Sequence, residues 1–331
     1  MRARTDRLAV ITTAAACALA LLGPPAAAGQ PASGADQVEA TPIWTERSPA
    51  TAPPPVTKAH MAYDAGASRT VLFGGQRADG YSNETWVWDG STWAQLHPSV
   101  SPSARRSGSM AYDPVRDQIV LFGGVGADGK VFDTWVLEGG TWTKKRTAHG
   151  PESFSAAMAF DPISEKIIMF GGFLGHATEH TWAWDGTTWT RLHPATSPPA
   201  RHSAQLAYDP SRGALVLFGG FDDPTYRSDT WSWDGETWVE ESLRKTPSGR
   251  WGHSMATLGN RVVVFGGTQL GSVVNDTWEL RADRWVRLGG ASSPPARLKA
   301  GMVWDSDRRE AVLFGGENGQ ILNDTWVLRR H

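Results

Sequence analysis

Histidine is the side chain best suited to metal binding and to proton transfer near neutrality, and nine occur in this chain of 331 residues. Two of them fall in His176-Ala177-Thr178-Glu179-His180, an H-x-x-E-H spacing. On a helix that spacing would set both imidazoles on one face as zinc ligands, with Glu179 as base. Here the motif lies between a glycine pair and a predicted strand, with no helix to set the i, i+4 geometry, so the protease reading is set aside. The alternatives are a looser divalent-metal site built on His176, His180 and a His of a neighbouring repeat, or hydrogen-bonded loop histidines. Cys17 is the only cysteine. No Gly-x-Ser-x-Gly elbow, phosphate loop or dinucleotide fingerprint occurs.

The elements that must position these groups are repeats. Phe-Gly-Gly begins at Phe73, Phe122, Phe170, Phe218, Phe265 and Phe314, with successive spacings of 49, 48, 48, 47 and 49 residues. A short alternating or apolar run precedes each, such as Arg261-Val262-Val263-Val264-Phe265, which reads as a buried strand ending in glycines. Glycine there permits positive φ and close approach by a neighbouring backbone. A Thr-Trp follows each Phe by 12 or 13 residues (Trp86, Trp135, Trp182, Trp231, Trp278, Trp326). In the first five repeats a second Trp follows seven residues later: Trp93, Trp142, Trp189, Trp238 and Trp285. Asp-Gly hairpin signals separate several of these pairs, as at Asp89-Gly90 and Asp185-Gly186. With the strand upstream of each Phe-Gly-Gly, typified by Ser109-Met110-Ala111-Tyr112-Asp113, the unit is four strands.

Glycine pairs and tryptophan pairs in this phase, with Arg250-Trp251-Gly252-His253-Ser254 in the fifth repeat, resemble the kelch repeat over nearly all of residues 41–331. The resemblance implies an all-β fold: a six-bladed kelch β-propeller with four antiparallel strands per blade. The sixth repeat lacks a second Trp, and Trp44 supplies the candidate. Second Trp to next Phe is 27 to 29 residues, and Trp44 to Phe73 is 29. Pro42 to Arg47 is therefore expected to be the outer strand of the sixth blade, hiding two sheet edges. The repeat tryptophans read as inter-blade packing. The Asp of Asp-Thr-Trp and of Tyr-Asp-Pro reads as turn chemistry.

Residues 1–28 read as a cleavable secretory signal, with Arg2, Arg4 and Arg7, an apolar run from Leu8 to Leu22, and Ala26-Ala27-Ala28 before Gly29. The run is too short for a membrane span. Ala14 stands where a lipoprotein motif wants Leu, so lipid at Cys17 is not expected. Removing this segment takes three Arg and one Asp from 32 basic and 34 acidic residues, leaving 29 and 33. That weak acidity argues against a nucleic-acid partner. The mature chain has no cysteine and so no disulfide. Residues 29–40 read as a disordered linker. A secreted monomer with no membrane span is expected.

If strands a to d run outward from the axis, the b–c and d–a loops share a face, and the loops after Gly-Gly on it differ in every repeat. Variable loops on a repeated scaffold are where function is usually placed. Eight of the nine histidines map there. Aromatics outside the repeat pattern join them: Tyr81, Phe132, Phe154, Phe173, Phe221, Tyr226 and Trp251. Near the expected mouth of the central channel stand Lys58, Arg106, Ser107, Ser155, Ser203 and Lys299. In kelch adaptor proteins the start of the innermost strand and the loop after Gly-Gly line the ligand pocket, so these residues, with His202 and His253, are the ligand-binding candidates that the resemblance implies. Flat aromatics beside hydrogen-bonding groups suit a glycan, a peptide or a small organic ligand.

Kelch propellers also include enzymes resembling galactose oxidase, whose chemistry needs a cysteine this chain lacks once the signal is removed, and iron-using specifier proteins whose Glu-x₃-Asp-x₃-His pattern is absent. Two readings follow. The first is a secreted binding module whose variable face holds a small molecule, a glycan or a protein. The alternative is a small-molecule epimerase, cyclase or lyase, with or without a divalent metal, using His60, His180, His202, Glu179 or Lys299 for proton transfer. Convergence of His60, His202 and His180 in one deep pocket would favour catalysis; a shallow aromatic face would favour binding.

Overall fold

The computed structural model describes residues 41–290 and 292–330; the expected signal segment and linker lie outside the described residues. Six antiparallel sheets of four strands account for the repeats. The first blade runs His60–Asp64, Arg69–Phe73, Thr85–Trp88 and Trp93–Leu96 from the axis outward, and blades II to V follow in chain order. The sixth consists of Gly301–Asp305, Glu310–Phe314 and Thr325–Arg329, completed on the outside by Ile43–Arg47. That strand pairs from Ile43 opposite Arg329 to Arg47 opposite Thr325, as the spacing of Trp44 requires. The inner strands adjoin in ring order, and the first meets the sixth. No helix of the described residues is long and apolar enough to cross a membrane.

One contact is repeated at all six blade junctions. The outer-strand tryptophan of a blade lies against the Phe of the preceding blade's Phe-Gly-Gly, with ring centroids 4.9 to 5.3 Å apart. Its Nε1–H donates at 2.9 to 3.0 Å to the threonine of that blade's Thr-Trp. Trp44 behaves as the others do: it packs on Phe265 and donates to Thr277. A buried aromatic with its polar atom satisfied gives both area and direction. Each glycine pair adds backbone contact. A Cβ on Gly74, at φ 67°, would sit 2.7 Å from the Arg105 carbonyl oxygen of the next blade, and the Gly75 N–H donates to that same oxygen at 2.8 Å.

The acidic residue before Thr-Trp does something turn chemistry does not describe. In blades II, IV, V and VI a wholly buried arginine (Arg105, Arg201, Arg250, Arg297) reaches from the lead-in of the inner strand to Asp133, Asp229, Asp276 or Asp324. The same guanidinium donates to the carbonyl of the first glycine of the pair. The aspartate also accepts from the first tryptophan's Nε1 at 2.6 to 2.9 Å. Burial alone would raise these carboxyl groups, but the guanidinium beside each holds it below the usual carboxylate range. The turn reading holds for Tyr-Asp-Pro, where Asp113 and Asp209 accept from backbone N–H groups two residues on.

Substituting Trp44→Ala should lower stability by about 3–5 kcal/mol, read as a fall in Tm, and deleting residues 41–48 should cause a larger fall or aggregation. An unchanged melting curve for either would refute the closure.

Candidate functional site

At one end of the central channel the six lead-ins to the inner strands form a collar. Their central residues are Lys58, Ser107, Ser155, Ser203, Gly252 and Lys299, all with φ between 55° and 63°. Each donates its backbone N–H to the carbonyl of its counterpart in the adjoining blade, from Ser107 to Lys58 round to Lys58 to Lys299, at 2.6 to 3.2 Å for five links and 3.3 Å for the sixth. Buried N–H groups need partners; here the ring of blades supplies them. The residue before each of these, from Thr57 to Leu298, bridges to the residue that follows its blade's glycine pair. Collar and variable loops are therefore tied together.

A pocket of 360 Å³ opens inside this collar. Lys58, Arg106, Ser107, Ser155, Ser203 and Lys299 line it, as do Phe154, Phe173, Trp251, His60, His202 and His253. Ala59, Gly108, Ala156, Ala204 and Ala300 leave room between them. Tyr81, Phe221 and Tyr226 form a second tier. Arg106 lies over the Tyr81 ring at 5.5 Å, and Phe221 packs on His202, Tyr226 and Trp251. Three cations face the pocket. Lys58 is lowered to about 8 by burial first and then by Lys299 and Arg106. Lys299 is held by Glu317 at 2.7 Å and lies over the Trp251 ring at 5.0 Å. Burial would raise the Glu317 carboxyl, but Lys299 and Lys58 hold it below its ordinary value.

The histidines do not act as one group. His60 and His253 are 5% and 1% exposed. Burial, then the nearby Arg105 or Arg250, lowers both to about 3, opposed for His60 by the Gly108 backbone and for His253 by the Phe218 backbone and Asp276. Both are neutral at physiological pH. His202 is also lowered by burial, with Asp222 opposing. Its Nδ1 lies 3.0 Å from the Ser203 hydroxyl, and its ring stands edge-on to Phe173 and Phe221. His180 lines a different cavity, farther out between blades II and III, while His176 and Glu179 are exposed. His60, His202 and His180 therefore do not converge. Among the described residues no group of three or more His, Cys, Asp or Glu is placed to hold a metal ion.

Sequence reasoning missed Glu317 and the buried arginines. Aligning the residue after each glycine pair (Gln76, Val125, Phe173, Phe221, Thr268, Glu317) would have singled out Glu317 as the one carboxylate in that row.

Residues 39–190 and 156–330 match the family model described as the KLHDC2/KLHL20/DRC7 Kelch-repeats domain. No curated protein is similar to the chain at a significant level.

Because His60 and His253 titrate near 6.5 when unfolded and near 3 when folded, the unfolded chain binds more protons between those values. Stability should be full above pH 6.5 and fall on acidification, each histidine adding about 1.4 kcal/mol per pH unit within the window. Denaturant titrations from pH 7 to 4.5 should show this slope, and His253→Leu should flatten it whatever its absolute stability. An unchanged slope would mean that the buried imidazole is not the cause.

Proposed function

This chain belongs to the kelch-repeat family, and from that premise we propose that the collar pocket of this interaction module holds an anionic segment of its partner, outside the cell. The observation that carries the reading is the convergence of Lys58, Arg106 and Lys299 on a pocket with no carboxylate among its lining residues. Glu317 balances part of that charge from behind Lys299. Serine hydroxyls of the collar supply neutral hydrogen bonds, and Phe154, Phe173 and Trp251 supply flat walls. A peptide carboxylate is the ligand these groups suit best. An acidic sugar or a small organic acid has the same chemistry.

Steering by such a patch weakens as salt rises. The burial that lowers Lys58 also makes its charge pH-sensitive: above about 8 it is lost, and anion affinity falls with it. Residues 1–28 support the extracellular setting through their basic start, apolar run and small-residue site.

Fluorescence-polarisation titration with acidic, neutral and basic peptides of equal length should show a preference for the acidic one. That preference should decline between pH 7 and 10, and Lys58→Ala/Lys299→Ala should weaken the acidic peptide by about tenfold or more. Equal binding of all three peptides would sink the reading. Expressed in a secreting host, the protein recovered from the medium should begin near Gly29 by N-terminal sequencing. Retention inside the cell with an intact Met1 would oppose the extracellular assignment.

A further inference from the structure

Blade III lacks the charged pair that its neighbours bury. The residue before Thr-Trp is Glu84, Asp133, Asp229, Asp276 or Asp324 in the other five blades, and in each its carboxylate accepts from the first tryptophan's Nε1. Four of these carboxylates also meet a buried arginine from the lead-in. In blade I, Val56 takes the arginine's place and Arg77 pairs with Glu84 instead. In blade III the two positions are Ser153 and His180. Both keep the repeat's backbone placement. The His180 carbonyl accepts from Gly171 N–H at 3.0 Å, as the Glu84 carbonyl accepts from Gly74. Ser153 Oγ donates at 3.0 Å to the Gly171 carbonyl, the role that guanidinium groups play elsewhere.

The loss of both large charged side chains coincides with an open cavity of 590 Å³ lined by Ser153, His180, Trp182, Arg191, His149 and Glu152. Trp182 is partly exposed where the other first tryptophans are buried, and among the described residues it makes no counterpart of their bond to a carboxylate. Arg191 is its cross-strand partner. The equivalent Lys144 of blade II reaches Asp133 at 3.2 Å, whereas Arg191 makes no ion pair among the described residues. Trp182 and Arg191 thus line the cavity at the blade position where every other blade carries a carboxylate. Glu152, exposed at the rim, is the one carboxylate of the wall.

We propose that this blade III cavity is a second binding site, separate from the collar, that takes the carboxylate of a ligand in place of the missing aspartate. Trp182 Nε1–H and the Arg191 guanidinium are its primary donors, with His180 contributing a ring N–H. The second histidine of the H-x-x-E-H motif is thereby explained: it is the residue that vacates the repeat's acidic position. The carboxylate can belong to a free small acid or to a glutamate side chain of a partner.

The test follows the Trp182 indole N–H resonance by ¹H–¹⁵N NMR of the full domain, assigned through Trp182→Phe, during titration with glutarate and with N-acetylglutamate N-methylamide. A saturable downfield shift with either compound is expected. Saturation at lower concentration by the blocked glutamate assigns a peptide side chain, and the reverse order a free acid. His180→Asp, which restores the blade's own carboxylate, should move the resonance without ligand and abolish the response. Arg191→Gln, at an exposed position, should weaken binding at least fivefold while leaving the fold intact. No response to either acid in the wild type, or an undiminished response in His180→Asp, would overturn the proposal.

Discussion

The propeller depends on one contact made six times: an outer-strand tryptophan set against the preceding blade's phenylalanine, with its indole N–H given to that blade's threonine. No blade buries its own Phe face alone, so each is completed by the next and the series has to close. Trp44 closes it by entering the sixth sheet from the start of the domain. The requirement is physical before it is topological. An open ring would leave the Phe265 face of blade V exposed and one strand of blade VI without its edge partner.

Closure also creates the collar. Lys58 and Lys299 lie at opposite ends of the domain sequence, yet the ring makes their blades neighbours, and the Lys58 N–H bonds to the Lys299 carbonyl. Burial first, and then the charge of the neighbouring Lys299, moves Lys58 toward neutrality. A rigid collar bonded blade to blade holds six side-chain positions at one level. Recognition is then set by which residue occupies each position, without rebuilding the scaffold.

Function on a repeated scaffold shows as departure from the repeat. Four blades fill the junction beneath the variable loops with a buried arginine, an aspartate and an indole N–H. Blade I rearranges the charges through Arg77 and Glu84, and blade III removes them. A buried ion pair is costly to break from one side. Loss of both partners together, with Ser153 still capping the Gly171 carbonyl, leaves a cavity without an orphaned charge in the core.

The blade count, the strand order, the outer strand at Trp44 and the polar and aromatic residues of the collar were legible in the sequence, because each depends on periodicity or on position within a repeat. The arginine–aspartate pairs were not. Their members stand 26 to 28 residues apart in two different loops at the same end of a blade, and the aspartate alone looks like a turn residue. Nor could the sequence separate His180 from His60 and His202, or reveal that two of the eight histidines on the variable face are locked neutral by burial. Spacing along a chain specifies which strands form and in what order, since those choices are local and repeat. Which side chains share a cavity, and which charges survive there, was decided only when the closed ring brought distant lead-ins together and excluded water from some of them.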